Sequence, residues 1–253
     1  MAPEKRRAAI LELANQKAEL TVEQIADSFG VSRETARRDL AHLDAKGLLR
    51  RVHGGALRPQ TASEANMTAR MEENADVKRR IATAAARLFQ ENDTLMIDTG
   101  STTAFLAAAL ANVGRLTVIT NSVTVAGKIY AGGQSRVYLI GGEFNGGTGE
   151  TLGSASLDQI SRFRADHAVL TIGAIDPQGG FMDYDLEEAM VARAMIQQST
   201  RVTVVADGSK FGRIAMAKVC EFSQVDRLVT GTAPPDPFLK LLRAAGVELI
   251  VAE

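Results

Sequence analysis

Apolar residues recur along this chain with two different periods, and the change of period divides it. Over the first sixty residues the spacing is helical: Ile10, Leu11, Leu13 and Ala14, then Ile25, Ala26 and Phe29, then Ala36, Leu40 and Leu43. Each set places one apolar face on a helix, the first over Pro3–Gln16. The stretch Thr21-Val22-Glu23-Gln24 is a capping-box pattern, in which hydroxyl and amide side chains satisfy free backbone donors. That second helix is expected to stop at Gly30, with Val31 as the apolar plug of the turn. Ser32 then caps a third helix running to about Lys46, with Gly47 as its terminator. Leu48–Val52 and Ala56–Leu57 read as short strands around His53-Gly54-Gly55, a hairpin signal.

From residue 75 the pattern becomes an alternation of apolar strands and amphipathic helices. The expected strands are Thr94–Asp98, Leu116–Thr120, Val137–Ile140, Ala168–Ile172, Val202–Ala206, Arg227–Thr230 and Glu248–Val251. Helices are expected over Ala75–Glu91 and at about 102–112, 122–131, 154–162, 185–198 and 236–245. Such alternation implies an α/β fold with a mostly parallel sheet and helices on both faces. Between the two regions, Pro59–Asn66 is polar and Met67–Asn74 is mixed and able to form a helix. The expected organisation is therefore a winged helix-turn-helix over 1–58, a linker over 59–74 and a larger domain over 75–253.

Charge sharpens this division. The chain of 253 residues has a formal net charge of −1. Residues 1–60, however, carry 11 Lys+Arg against 8 Asp+Glu, and the remainder 18 against 22. A basic head on an acidic body fits a DNA-binding module joined to a ligand or partner module. Cys220 is the single cysteine, which excludes an internal disulfide and a cysteine-rich metal site and reads as a small buried hydrophobe. No metal or cofactor is expected. Nothing resembles a signal peptide or a membrane span, so a soluble, cytoplasmic protein is expected.

The candidate chemistry lies in two places. On the third helix, Ser32, Arg33, Thr35 and Arg37 stand near the amino-terminal end, where a recognition helix meets base edges and phosphates. Arg38 is assigned partly to packing or backbone contact. Arg50, Arg51, His53, Gly54 and Arg58 would line a wing that touches phosphate or the minor groove. In the larger domain, polar residues follow four strands. Asp98 precedes Gly100, Ser101, Thr102 and Thr103; Asn121 and Ser122 follow the second strand, Gly142 and Glu143 the third, and Asp207 and Lys210 a later one. Glycine, hydroxyls and a helix amino terminus together favour an anion, and phosphate is the natural guest.

Both regions resemble one family. Val31–Leu40 (V-S-R-E-T-A-R-R-D-L), Leu43–Gly47 and Arg51–Ala56 (R-V-H-G-G-A) resemble the amino-terminal domain of the DeoR family of bacterial transcriptional regulators. Ala36 stands where that family has a larger aliphatic residue, a departure that touches packing only. Asp98–Thr103 (D-T-G-S-T-T), Thr120–Ser122, Gly141–Glu143, Gly153, Ala165-Asp166 and Asp207–Gly212 (D-G-S-K-F-G) resemble the family's effector domain. The resemblance implies a repressor that binds double-stranded operator DNA, and because winged-helix readers pair across half-sites a dimer or tetramer is expected. It also implies a body similar in fold to ribose-5-phosphate isomerase that senses a small phosphorylated sugar or polyol. Asp98 and Asp207 would then accept hydroxyl hydrogen bonds, Gly100–Thr103 hold phosphate, and Lys210 supply countercharge. Ser154–Arg164, Asp183–Glu188, Ser209–Met216 and Pro234-Pro235 are similar to the branch that answers to glycerol-3-phosphate. Ala174 replaces a frequent family glycine, which bears on the shape of the pocket.

A sugar-phosphate isomerase with an added DNA-binding head is the rival reading, with Asp98, Glu143, Asp207 and Lys210 as acid, base and enediolate stabiliser. The acidic D-G-A-D-E strand end and lysine-glycine-rich loop of that enzyme are not found in the chain. A structural DNA-binding protein without an effector would leave the polar strand ends unexplained.

Overall fold

The computed structural model describes residues 3–16, 19–45, 49–52, 54–57, 66–111 and 113–253. The chain divides into two units, Met1–Ser63 and Glu64–Glu253. Gly47, His53, Arg58 and most of the expected linker lie outside the described residues.

In the second unit, α4 (Met67–Glu72) and α5 (Ala75–Ala86) lead into β4 (Thr94–Ile97), α6 (Ser101–Leu110), β5 (Thr117–Thr120), α7 (Val123–Ala131) and β6 (Arg136–Leu139). A hairpin follows, β7 (Glu143–Asn145) and β8 (Glu150–Leu152), then α8 (Ser154–Ser161) and β9 (Ala165–Leu170). The chain continues through β10 (Ala174–Asp176), β11 (Gly180–Asp183), α9 (Leu186–Gln197), β12 (Ser199–Ala206) and β13 (Ala217–Cys220). It closes with β14 (Arg227–Thr230), α10 (Asp236–Ala244) and β15 (Glu248–Val251).

Seven strands form one sheet in the order β6-β5-β4-β9-β12-β14-β15, and every neighbouring pair is parallel. Alternate residues of its central strands point to opposite faces. Leu95, Ile97, Val118, Val169, Val205 and Val229 pack with α5, α6 and α7. Met96, Ile119, Ala168, Leu170, Val204 and Leu228 pack on the other face with α8, α9 and α10. With both faces covered, central strands read as continuous apolar runs, which is why they were legible.

From β4 the chain winds outward through β5 to β6, then restarts on the opposite side at β9. The sheet therefore reverses between β4 and β9, and a ligand crevice belongs at their carboxyl ends. The run around Cys220 reads as strand-like in the sequence and forms β13, but the hairpin β7-β8, the strands β10 and β11 and their antiparallel pairing were not expected. Their strands have three or four residues and sit among glycines, too short to show a period. The expected long helix from Ala75 stops at Ala86. Among the described residues no helix is long and apolar enough to cross a membrane.

The first unit contains α1 (Pro3–Gln16), β1 (Glu19–Thr21), α2 (Val22–Phe29), α3 (Arg33–Ala45), β2 (Arg50–Val52) and β3 (Gly55–Leu57). Thr21 and Gln24 exchange side-chain and backbone hydrogen bonds at 3.1 Å each, completing the expected capping box. Gly30 ends α2 in the left-handed conformation at φ 61°. Ile10, Ile25, Ala36, Leu40 and Leu43 share one buried cluster, so the three helices pack on a common core. The strand β1 was not foreseen; it pairs with β3 to give a sheet ordered β1-β3-β2.

Asp39 ties α3 to α1. Its carboxylate is buried and accepts from Arg6 Nε at 2.6 Å and Arg7 Nε at 2.8 Å. Burial raises its pKa, but the two guanidinium groups outweigh burial and hold the carboxyl below its ordinary value. Its contribution is thus present above the ordinary carboxylate range and lost as pH falls through the lowered value. Removing one partner of a buried pair strands the other charges. Asp39→Ala should therefore cost the first unit about 3–5 kcal/mol in urea denaturation at neutral pH. The gap from wild type should narrow as the wild type is taken into acid; a gap independent of pH would show that Asp39 acts through packing alone.

Candidate functional site

The first candidate surface is the amino-terminal half of α3. Ser32 Oγ accepts the Thr35 amide at 3.2 Å and lies 3.0 Å from the Thr35 hydroxyl, so these two residues open the helix. Arg33, Arg37 and Arg38 are all exposed. Arg33 lies 3.6 Å from Glu23 and Arg38 3.5 Å from Glu34, solvent-screened pairs that another anion can replace. Arg37 has no carboxylate partner among the described residues. The Arg38 side chain is 78% exposed, so of its two expected roles packing is not met and backbone contact is left. Arg50 and Arg51 lie on β2, opposite Leu57 and Ala56, and Gly54 takes the turn at φ 88°.

The second candidate lies at the reversal between β4 and β9. Asp98, one residue beyond β4, is buried, and both its oxygens accept the Thr171 amide at 2.9 and 3.0 Å. The Thr171 hydroxyl donates back to the Thr99 carbonyl at 3.1 Å. Gly100 must be glycine here, because a Cβ would lie 2.2 Å from Thr171 Oγ1. α6 begins immediately after Gly100, and no side chain caps it. Its first amides therefore remain available, and the helix dipole adds positive potential at that end.

These groups border an enclosed polar cavity. Its wall includes Thr99, Ser101, Thr102, Thr171 and Ile172, with Asp183 and Glu188 from β11 and the start of α9. Val205, Ala206 and Lys210 follow from β12 and beyond, and Arg70 comes from α4. The Thr99 hydroxyl is buried, with the Glu150 carboxyl as the acceptor beside it.

Several carboxylates converge on this end of the sheet. Burial pushes Asp98 well above its ordinary value, against the pull of the Thr171 amide; Asp183, Glu150 and Glu188 push it further. Burial also raises Glu150, against hydrogen bonds from Thr148, Glu188, Asn121 and Thr99. A bond between the Glu150 and Glu188 carboxyls needs a proton on one of them.

Of the residues expected from the strand ends, Ser101, Thr102 and Lys210 line the cavity, with Asp98 and Gly100 directly behind its rim. Others serve local structure. Thr103 is fully buried and donates to the Gly100 carbonyl at 3.1 Å. Asn121 Nδ2 donates to Glu150 at 3.2 Å, Ser122 caps α7 through the Val125 amide at 3.3 Å, and Asp207 accepts the Ser209 amide at 2.8 Å. Gly142 lets the chain pass α8, since a Cβ would meet Ser156 Oγ at 2.1 Å. Glu143 is exposed on the β7 hairpin, and Ala174 is buried in β10; neither lines the cavity. Sequence reasoning gave no site role to Thr171 or Arg70, and it held Thr99, Asp183 and Glu188 only within quoted motifs. Thr171 was legible as the residue facing Asp98 across the reversal, had the two strand ends been read together.

A helix with arginines exposed at its amino-terminal half, on the same chain as an α/β unit with a polar cavity at its reversal point, is the arrangement of a ligand-sensing DNA-binding regulator. The chain belongs to the DeoR family: the DeoR-like helix-turn-helix domain matches residues 6–62 and the DeoR C-terminal sensor domain residues 73–232. The glycerol-3-phosphate regulon repressor of Escherichia coli K12 is 36% identical over 244 residues, covering 96% of this chain and 97% of that one. The HTH-type transcriptional repressor GlcR of Bacillus subtilis 168 is 34% identical over 254 residues, covering 100% and 98%. These relatives are named repressors, and the chain is a regulator, not an enzyme. Ribose-5-phosphate isomerase A from Neisseria gonorrhoeae aligns at TM-score 0.39 and 20% identity, over 59% of this chain and 56% of that one, too distantly to add to the assignment.

Gly100→Ala should lower the stability of the second unit by about 1–3 kcal/mol in thermal or urea melts. Gly127, mid-helix in α7 with open space at its Cβ position, provides the control. Gly127→Ala should stabilise by about 0.5–1 kcal/mol. Equal effects at both positions would show that the Thr171 contact is not tight.

Proposed function

We propose that the protein is a cytoplasmic repressor of a carbohydrate or polyol catabolic operon, binding double-stranded operator DNA through its first unit and a small phosphorylated sugar or polyol through its second. The observation that carries the sensing half is the uncapped amino terminus of α6, opening on an enclosed polar cavity where the sheet reverses. Amides of Ser101, Thr102 and Thr103 receive the phosphate. Lys210 adds countercharge, the Thr99 hydroxyl adds a donor, and Asp183 and Glu188 accept from the ligand's hydroxyls. Asp98, Gly100, Asn121, Ser122, Gly142 and Asp207 shape the strand ends that hold these groups. Glycerol-3-phosphate is the first ligand to test, because a relative bearing that name covers nearly the whole chain and the cavity is small.

For the DNA half, Arg37 is the leading contact, with Ser32, Arg33, Thr35 and Arg38 beside it. Arg50, Arg51, His53 and Gly54 form the wing. Winged helices read half-sites in pairs, so the working form is a homo-oligomer, dimer or tetramer.

A thermal-shift screen of trioses, polyols, pentoses and hexoses, each phosphorylated, tests the sensor. A true effector at about 100 times its dissociation constant adds about 2.7 kcal/mol. Silence across that screen from folded protein would remove the phosphate reading. Arg37→Ala should weaken operator binding by about 1–3 kcal/mol and leave the melting temperature unchanged. A wild-type affinity for that variant would strike Arg37 from the interface.

A further inference from the structure

The cavity beside α6 has a volume of about 10 Å³, room for about one water molecule. A polyol phosphate enters only if a wall moves. Most of the wall is the buried sheet and the helices fixed to it; α4 is different. It has six residues and none is buried. A helix that short does not persist in water by its own hydrogen bonds. It stays in place by three visible means. Asn66 Oδ1 caps the Ala69 amide at 2.9 Å, α4 packs on α6, and Lys78 reaches up from α5. Lys78 is 4% exposed, and its Nζ donates to the carbonyls of Arg70 at 2.5 Å and Glu73 at 2.9 Å. Burial depresses the Lys78 pKa, while Asp207 nearby opposes that fall.

Arg70 shares the cavity wall with Ser101, Thr102 and Lys210. α4 lies between the segments matched to the two family domains, 6–62 and 73–232. It is also the first described helix of the second unit, so the chain runs back from it towards the first.

We propose that α4 is the movable wall of the sensor cavity, that Arg70 is an effector-binding residue carried on it, and that ligand entry shifts α4 against its Lys78 clasp. The proposal rests on the sensor reading above and adds the route out of the site. A phosphate held by the α6 amides and by Arg70 receives charge-assisted hydrogen bonds from both. Occupancy therefore acts on α4 itself, and through α4 on the chain leading to the DNA-binding unit.

Lys78→Met, made in the full-length protein, keeps a buried stem and removes both donors. Without any ligand, hydrogen exchange at residues 67–74 should accelerate, and operator affinity should change about fivefold or more. Unchanged exchange would deny the clasp; faster exchange with unchanged operator affinity would deny the coupling. If that variant fails to fold, Asn66→Ala loosens the same helix from its exposed side and is judged by the same two readings. Arg70→Ala tests the contact and should weaken glycerol-3-phosphate binding about tenfold or more. Undiminished binding would remove Arg70 from the site. Wild-type protein indifferent to both glycerol-3-phosphate and inorganic phosphate would sink the phosphate reading and the role of Arg70 with it. The Lys78 variant would still decide whether α4 governs DNA binding.

Discussion

Where two parallel strands part at a reversal in a sheet, their carboxyl ends leave a gap, and Asp98 bridges it. Pairing of β4 with β9 ends at Ile97 and Val169. Beyond it the Asp98 amide donates to Val169, the Asp98 carboxylate takes the Thr171 amide, and the Thr171 hydroxyl returns to Thr99. Three contacts thus extend the join past the last ladder bond. They set the direction in which α6 leaves the sheet and keep its first turn facing the gap. The closeness of the join leaves no volume for a side chain at residue 100, so glycine there follows from the tie. Cavity, helix terminus and glycine are consequences of one buried carboxylate.

That arrangement also explains why sensing needs a soft element. A cavity built on a close-packed sheet cannot expand continuously, because interiors at crystal-like density pass between discrete arrangements. Of the helices on that wall, α4 has no fully buried residue of its own, a property it shares with the short turn Gly208–Lys210. Coupling between sites is limited by how differently a ligand binds the two arrangements, typically about 1–3 kcal/mol. Two hydrogen bonds from a buried ammonium lie in that range. A firmer attachment would lock the regulator, and a looser one would leave α4 displaced without ligand.

The parallel sheet and the helix-turn-helix were legible because their signals are local and periodic. Thr21 with Gln24, Gly30 and Ser32 each announce a boundary by their own chemistry. Strands β4, β5, β9 and β12 announce themselves by apolar runs. What escaped depends on partners far away in the chain. β1 is three residues long and exists because β3 accepts it. Thr171 matters through Asp98, 73 positions earlier. Arg70 and Lys78 look like ordinary basic residues on a polar helical stretch, and only the fold brings one to a cavity and buries the other. Polar strand ends lead to the surroundings of one cavity, yet Thr103, Ser122 and Asp207 show that such residues also satisfy the backbone.

The convergence of carboxylates on a proposed anion site looks contradictory until their protonation is considered. Asp98, Glu150, Asp183 and Glu188, all ionised, would oppose a phosphate at the α6 terminus. Burial raises Asp98 and Glu150, and the Glu150–Glu188 bond needs a shared proton, so the local negative charge is smaller than the residue count. A neutral Asp98 still accepts the Thr171 amide through its carbonyl oxygen, so the tie survives the loss of charge. Asp183 and Glu188, on the cavity wall, keep acceptor oxygens that suit hydroxyl donors and repel bare anions. Cations and free amides on one side with carboxyl acceptors on the other favour a molecule carrying both a phosphate and hydroxyls. Inorganic phosphate satisfies only the first half of that wall. On the proposed reading, the acidic groups are what make this a sensor of phosphorylated carbohydrate, as distinct from one of phosphate itself.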